Sequence, residues 1–241
     1  MCSVEWRHGY HTDAYADSGS EHCHFRLRMV STLAIADTIT NFQALHDRLG
    51  LQRATDTDFF PEWQHLAINL SDQDYAFLDQ LRQRYHYYYN GGLLTEGTIL
   101  LAIVAPLLNH FGFHEPPCCV RSESPISLAL PDRDEIYCGR IDILVVQEQL
   151  WILTVEAKRS RFAVDIALPQ CLAYMTAAAI SPSFGLVTNG SDFVFCKLVE
   201  TIYDFSEPFS LLSHRNRLHE VATLLINLKA MIMGRQHTHA H

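Results

Sequence analysis

Two stretches near the middle of the chain hold the residue types that metal-assisted hydrolysis needs. One reads Gly139-Arg-Ile-Asp142-Ile-Leu-Val-Val146; the other reads Trp151-Ile-Leu-Thr-Val-Glu156-Ala-Lys158. Both have the character of strands, and strand side chains point alternately to two faces. Trp151, Leu153, Val155 and Ala157 then make one apolar face, while Glu156 and Lys158 fall together on the other. Asp142 likewise interrupts an apolar run. Charges at the end of such strands are costly to bury unless something offsets them. If the connection through Gln147-Glu148-Gln149 has odd length, Asp142 and Glu156 share a face as cross-strand neighbours, roughly 4.5–8 Å apart. Two carboxylates so placed repel each other unless a cation sits between them. Mg²⁺ binds carboxylate oxygens and keeps several waters, and a metal-activated water can attack a phosphodiester. Lys158 would orient that water or stabilise the charge of the transition state. The competing reading is a plain ion pair at a strand end.

The surrounding elements have to hold these groups in place. Ala34 to Leu49 reads as a first helix. Ser71 caps a second, with Asp74 three residues on and Tyr75, Leu78, Leu81, Tyr85 and Tyr88 at spacings of three and four. Asn90-Gly91-Gly92 ends it. Thr95 caps a third helix through about Phe111, apolar nearly all round and therefore buried. From Cys118 the pattern changes to strands, over Val120–Leu130, Tyr137–Val146 and Trp151–Ala157. A helix from about Asp165 to Ala179 follows, with Pro169 tolerable only in its first turn. Two further strands, Phe184–Thr188 and Phe193–Leu198, flank the turn Asn189-Gly190-Ser191-Asp192. An amphipathic helix from about Leu218 to Met231 closes the chain. Short turns make the first three strands antiparallel, and the crossover helix lets the fourth join in parallel. The expected fold is α/β, a mixed sheet flanked by helices.

Asp142 followed by Glu156-Ala157-Lys158 on the next strand resembles the D…(D/E)xK signature of the PD-(D/E)XK nuclease superfamily. The helix–three-strand–helix–strand order, from about Leu94 to Leu198, is similar to its restriction-endonuclease-like core. The likeness is greatest to the N-terminal nuclease domain of type I restriction enzyme R subunits, where a Gln-x-x-x-Tyr pattern follows on a helix. Here that pattern reads Gln170-Cys-Leu-Ala-Tyr174, and residues four apart share a helix face. The superfamily also places an acid on its first core helix, which matches Glu96. The resemblance implies a DNA nuclease using Mg²⁺, with Mn²⁺ as a substitute. Asp142, Glu156 and Glu96 would hold the metal, with Lys158 and Gln170 beside them. Arg140, Arg159, Arg161 and Tyr174 would contact substrate. Each has a plainer reading: an acid in a first turn complements the helix dipole, Gln170 and Tyr174 suit a polar helix face against the sheet, and arginines suit solvated strand ends.

Composition limits these readings. The chain has 241 residues, 48% hydrophobic and 19% charged, enough apolar material for a generous core. Its net charge of −9 opposes a phosphate backbone, so affinity for DNA has to come from a local site, a metal or another protein subunit. No GxxxxGK[S/T] loop occurs, which leaves no ATP site and no motor. Seven scattered cysteines without a CxxC pair suggest reduced thiols and a cytoplasmic location. No continuous apolar stretch suits a secretory signal or a membrane span. The expected organisation is a disordered segment over 1–28, a helical extension over 29–92, a nuclease-like core with closing helix over 93–233, and a His-containing tail over 234–241. Met29 offers an alternative start. His8, His11, His22, Cys23 and His24 match no structural zinc spacing. The second functional reading is a catalytically silent nuclease-fold module that binds a protein partner or nucleic acid.

Overall fold

The strand pattern is realised as one mixed sheet. In the computed structural model, residues 31–235 are described except 65, 68, 93, 131–133, 148, 149 and 160–162. The expectations for 1–28, Met29 and the His237–His241 tail therefore lie outside the described residues. Nine strands pair among those described: β1 (Ser31–Ala34), β2 (Gln52–Arg53), β3 (Cys118–Leu130), β4 (Glu135–Gln147), β5 (Leu150–Ala157), β6 (Ser183–Thr188), β7 (Asp192–Val199), β8 (Ile202–Phe205) and β9 (Phe209–Ser210). The sheet runs β1-β4-β5-β6-β7-β8-β2, with β3 also on β4 and β9 on β7. As expected, β3, β4 and β5 are antiparallel neighbours, and β6 joins β5 in parallel. The crossover holds a short 3₁₀ turn (Val164–Ile166) and then α6 (Leu168–Met175), with Pro169 in its first turn.

Two expectations change. Ala34 to Leu49 is not one helix: β1 pairs with β4, α1 spans only Ile35–Thr38, and α2 runs Phe42–Leu49. The break is at Asn41, whose side chain accepts the Ala44 amide at 2.8 Å and so starts a new helix. Nor is the stretch 29–92 wholly helical, since β2 pairs in parallel with β8. Neither short strand carries an alternation long enough to read.

Other local signals hold. Helix α3 (Asp72–Asn90) begins with the Ser71–Asp74 capping box. Thr95 caps α4 (Glu96–Ile99), which continues through a π-helical turn, Leu100–Val104, into α5 (Ala105–His110). Pro106 explains the wide turn, because proline has no amide to give the carbonyl of Ala102 and crowds it. That carbonyl accepts Arg84 Nη1 from α3 at 3.2 Å instead. The last helix, α7, spans Leu218–Arg235.

Alternation along the strands divides the core in two. Ile143, Val145 and Val155 pack with Phe184, Leu186 and Phe193 against α3, α4–α5 and α7. Leu144, Val146, Val187 and Val194 pack against α1, α2 and α6. Among the described residues no helix is long and apolar enough to cross a membrane. Cys118, Cys119, Cys138, Cys171 and Cys196 are free thiols.

Candidate active site

The β4–β5 hairpin sets the relation of the two acids. Its ladder starts with Gln147 opposite Leu150, leaving two residues between the paired ends. An even connection carried straight down the ladder would put Asp142 opposite Val155. The register instead shifts by one between Val145 and Val146: Val146 pairs Trp151, whereas Val145 pairs Leu153. Ile152 is thus an extra residue on β5, a β-bulge. Below it Ile143 lies opposite Val155, so Asp142 comes opposite Glu156. Oδ2 of Asp142 reaches across to accept the Ala157 amide at 2.7 Å.

Glu156 is 1% exposed. Its Oε1 accepts Lys158 Nζ at 2.7 Å, while Oε2 is buried without a hydrogen-bond partner. Burial, then the charge of Asp142, push the Glu156 carboxyl up to about 8, against the pull of Lys158. Asp142 is also raised, first by burial and then by Glu96 and Glu123, with the Ala157 amide and Lys158 opposing. Burial alone would lower the Lys158 ammonium. Glu156, Glu96 and Asp142 outweigh it and hold its pKa above the ordinary value. The backbone of Lys158 is fixed as well, since its amide donates to Thr188 O at 2.8 Å.

Glu96, half-buried on α4, is therefore close enough for all three groups to feel its charge. Gln170 and Tyr174 meet on α6, where Gln170 Nε2 donates to the Tyr174 hydroxyl at 2.7 Å. Burial raises the Tyr174 pKa, and the charge of Glu156 adds to the effect. Tyr174 is 2% exposed, which suits a positioning residue better than a substrate contact. Its ring is seated on Gly139, where a Cβ would stand 2.6 Å from Tyr174 Cε1. A glycine inside a strand marks such close approaches, so Gly139 was a readable signal.

Arg140 is exposed but engaged, with Nη1 3.1 Å from Oε2 of Glu123. Arg159 is exposed. Arg161 lies outside the described residues. Sequence reasoning missed Glu123, which sits on β3 between Ser122 and Ser124, the partners of Ile143 and Ile141, and so comes opposite Asp142. Its φ of 52° is unusual for a side-chain-bearing residue, and nothing in the local pattern announces it.

The donor set suits a divalent cation in one respect: Glu156 has an unpaired buried carboxylate oxygen and feels the charge of Asp142, and a cation would relieve both. It falls short in another, because among the described residues no three His, Cys, Asp or Glu side chains form a ready metal cage.

No protein-family model and no curated protein matches the chain. A solved fragment described as an HsdR subunit of a type I restriction enzyme from Vibrio vulnificus YJ016 is similar in structure, with a TM-score of 0.38 and 17% identity. The match covers 59% of this chain and 26% of that one, so the chain spans about a quarter of the protein it resembles.

Proposed function

We propose that the chain is a metal-dependent DNA nuclease that hydrolyses phosphodiester bonds at Asp142, Glu156 and Lys158, on a restriction-endonuclease-like core. The observation that carries this reading is the buried Glu156, with one oxygen on Lys158 and the other unpaired opposite Asp142. Asp142 and Glu156 would hold Mg²⁺ or Mn²⁺, with Glu96 joining them. When bound, such a cation activates water and neutralises phosphate charge. Lys158, fixed by Glu156 Oε1, presents its ammonium to the attacking water or the phosphoryl oxygens. Gln170 and Tyr174 hold the α6 side of the site in place through their mutual hydrogen bond. Arg140, Arg159 and Arg161 supply phosphate contacts, with Arg140 leaving Glu123 to do so. The net charge of −9 favours a second subunit as a source of DNA affinity.

One observation favours the silent module instead, namely the lack of three acids in cage geometry among the described residues. A single experiment separates the two. Plasmid and linear DNA are incubated with Mg²⁺ or Mn²⁺ and with EDTA. Wild type should cleave only with metal, while Asp142→Asn and Lys158→Ala should each lose on the order of 100-fold or more in rate. Asp142→Asn should fold normally, because removing one of two repelling carboxylates costs little. No metal-dependent cleavage by wild type would favour the silent module, and cleavage unchanged in both variants would end the assignment to this site.

A further inference from the structure

The end of α3 carries an exposed aromatic run. Seven large hydrophobic side chains stand exposed among the described residues, and four belong to this one region: Tyr87 (77%), Tyr88, Tyr89 and Leu101 (78%). Arg84 joins the two helices here through its bond to Ala102 O, next to Leu101. In a helix Arg84, Tyr87 and Tyr88 share one face, three and four residues apart.

Contacts connect this region to the end of the sheet that bears the candidate site. The Tyr89 ring lies 5.5 Å from the buried ring of Tyr85, and the Tyr85 hydroxyl feels the charge of Asp192. Asp192 ends the β6–β7 turn, in which Asn189 Oδ1 accepts the Ser191 and Asp192 amides. Gly190 in that turn has a φ of 86° and packs on Ile99 of α4, three residues from Glu96. The turn follows Thr188, whose carbonyl holds the Lys158 amide.

Local chemistry favours one occupant. Gln80 to Asn90 contains no carboxylate, within a chain of net charge −9; its Arg82 is spent on backbone carbonyls, which leaves the exposed Arg84 as the cation on the face of Tyr87 and Tyr88. Such a chain cannot rely on neutralising many phosphates. Aromatic rings grip nucleic acid without that requirement, because every base has a π-face, but only unpaired bases expose it. We propose that Tyr87 and Tyr88, whose rings meet at 5.6 Å, form a stacking platform for single-stranded nucleic acid, delivering the strand to the Asp142–Glu156 site. The platform is a binding surface in its own right; only the delivery step rests on the nuclease reading.

The test uses the full chain in EDTA, so that no cleavage is needed. Fluorescence anisotropy compares a labelled single-stranded oligonucleotide of about 20 nucleotides with a duplex of the same length. The single strand should bind at least about tenfold more tightly, and Tyr87→Ala with Tyr88→Ala should remove that preference. Tyr87→Phe should retain it, since a phenyl ring still stacks. Exposed substitutions of this kind should leave the fold intact, and circular dichroism checks that. Equal affinity for single strand and duplex, or single-strand binding unchanged in the double variant, overturns the proposal. So does a platform that serves a second copy of the chain, seen as an oligomer that Tyr87→Ala dissociates while single-strand binding is unaffected. A separate wild-type arm with Mg²⁺ keeps the two readings apart: single-strand binding in EDTA reports the platform alone, and cleavage reports the nuclease site.

Discussion

Replacing Glu156 by glutamine should change how the stability of the metal-free protein depends on pH. The native state holds this carboxyl near 8 against an ordinary 4.5. A raised carboxyl pKa means that the native state keeps its proton longer than the unfolded chain does. Its contribution is therefore fully present below about 4.5 and is lost as pH rises through about 8. At roughly 1.36 kcal/mol per pKa unit, the loss between about pH 5.5 and about pH 8 is on the order of 3 kcal/mol. The side-chain amide of the Glu156→Gln variant does not titrate in this range, so the variant should lack this slope. The glutamine side-chain oxygen can still accept Lys158 Nζ, so the substitution removes the ionisation and keeps an acceptor for the lysine. Other groups titrate in both proteins. Urea unfolding in EDTA, repeated across the pH window, measures the difference directly. The variant should gain on wild type by about 3 kcal/mol from the acid end to the alkaline end, corresponding to roughly 6–12 °C in Tm for a chain of this size. Parallel curves would refute the reasoning, because they would mean that the carboxyl ionises in the native state as easily as in the unfolded chain.

Gly139→Ala should cost about 1–3 kcal/mol, because its Cβ would meet Tyr174 Cε1 at 2.6 Å and displace the ring; an unchanged Tm would show that the seat is not tight. Arg82→Ala should cost about 2–3 kcal/mol, since its guanidinium donates to the carbonyls of Leu211, Ser213 and His214 and ties α3 to the segment before α7. Arg82→Lys should recover little of that, because an ammonium cannot span three carbonyls as the planar fork does; denaturant unfolding measures both. For the isolated chain, the slope of log K for DNA against log salt should be shallow, roughly −2 to −3, since few arginines serve the site. A slope near that of a basic groove protein, about −6 or steeper, would contradict it.

Much of the site was legible because its signals are local. Ser71 and Thr95 cap their helices by hydrogen bonds within three residues. Pro169 was confined to a first helical turn by its missing amide, and it stands there. The apolar runs around Asp142 and Glu156 marked strands, and the crossover helix let β6 join β5 in parallel. Asp142, Glu156 and Lys158 are close together, and Glu96 is near enough for its charge to reach them.

Other features depend on groups far apart in the chain. The first helix was overread because Asn41 and the pairing of β1 with β4 compete with a weak helical pattern. Glu123 joins the site only because β3 lies along β4, where the ladder passes from Ser122 to Ser124 around it. The Tyr174 ring finds Gly139 only when α6 packs on the sheet.

That two acids and a lysine lie on neighbouring apolar strands follows from the residues alone. That the acids face each other does not. A two-residue connection by itself would have put Asp142 opposite Val155, and the bulge at Ile152 moves it opposite Glu156. A one-residue slip reverses every side chain of a strand. Which register wins is decided by packing both sheet faces against two helical layers, a balance that exists only in the folded molecule.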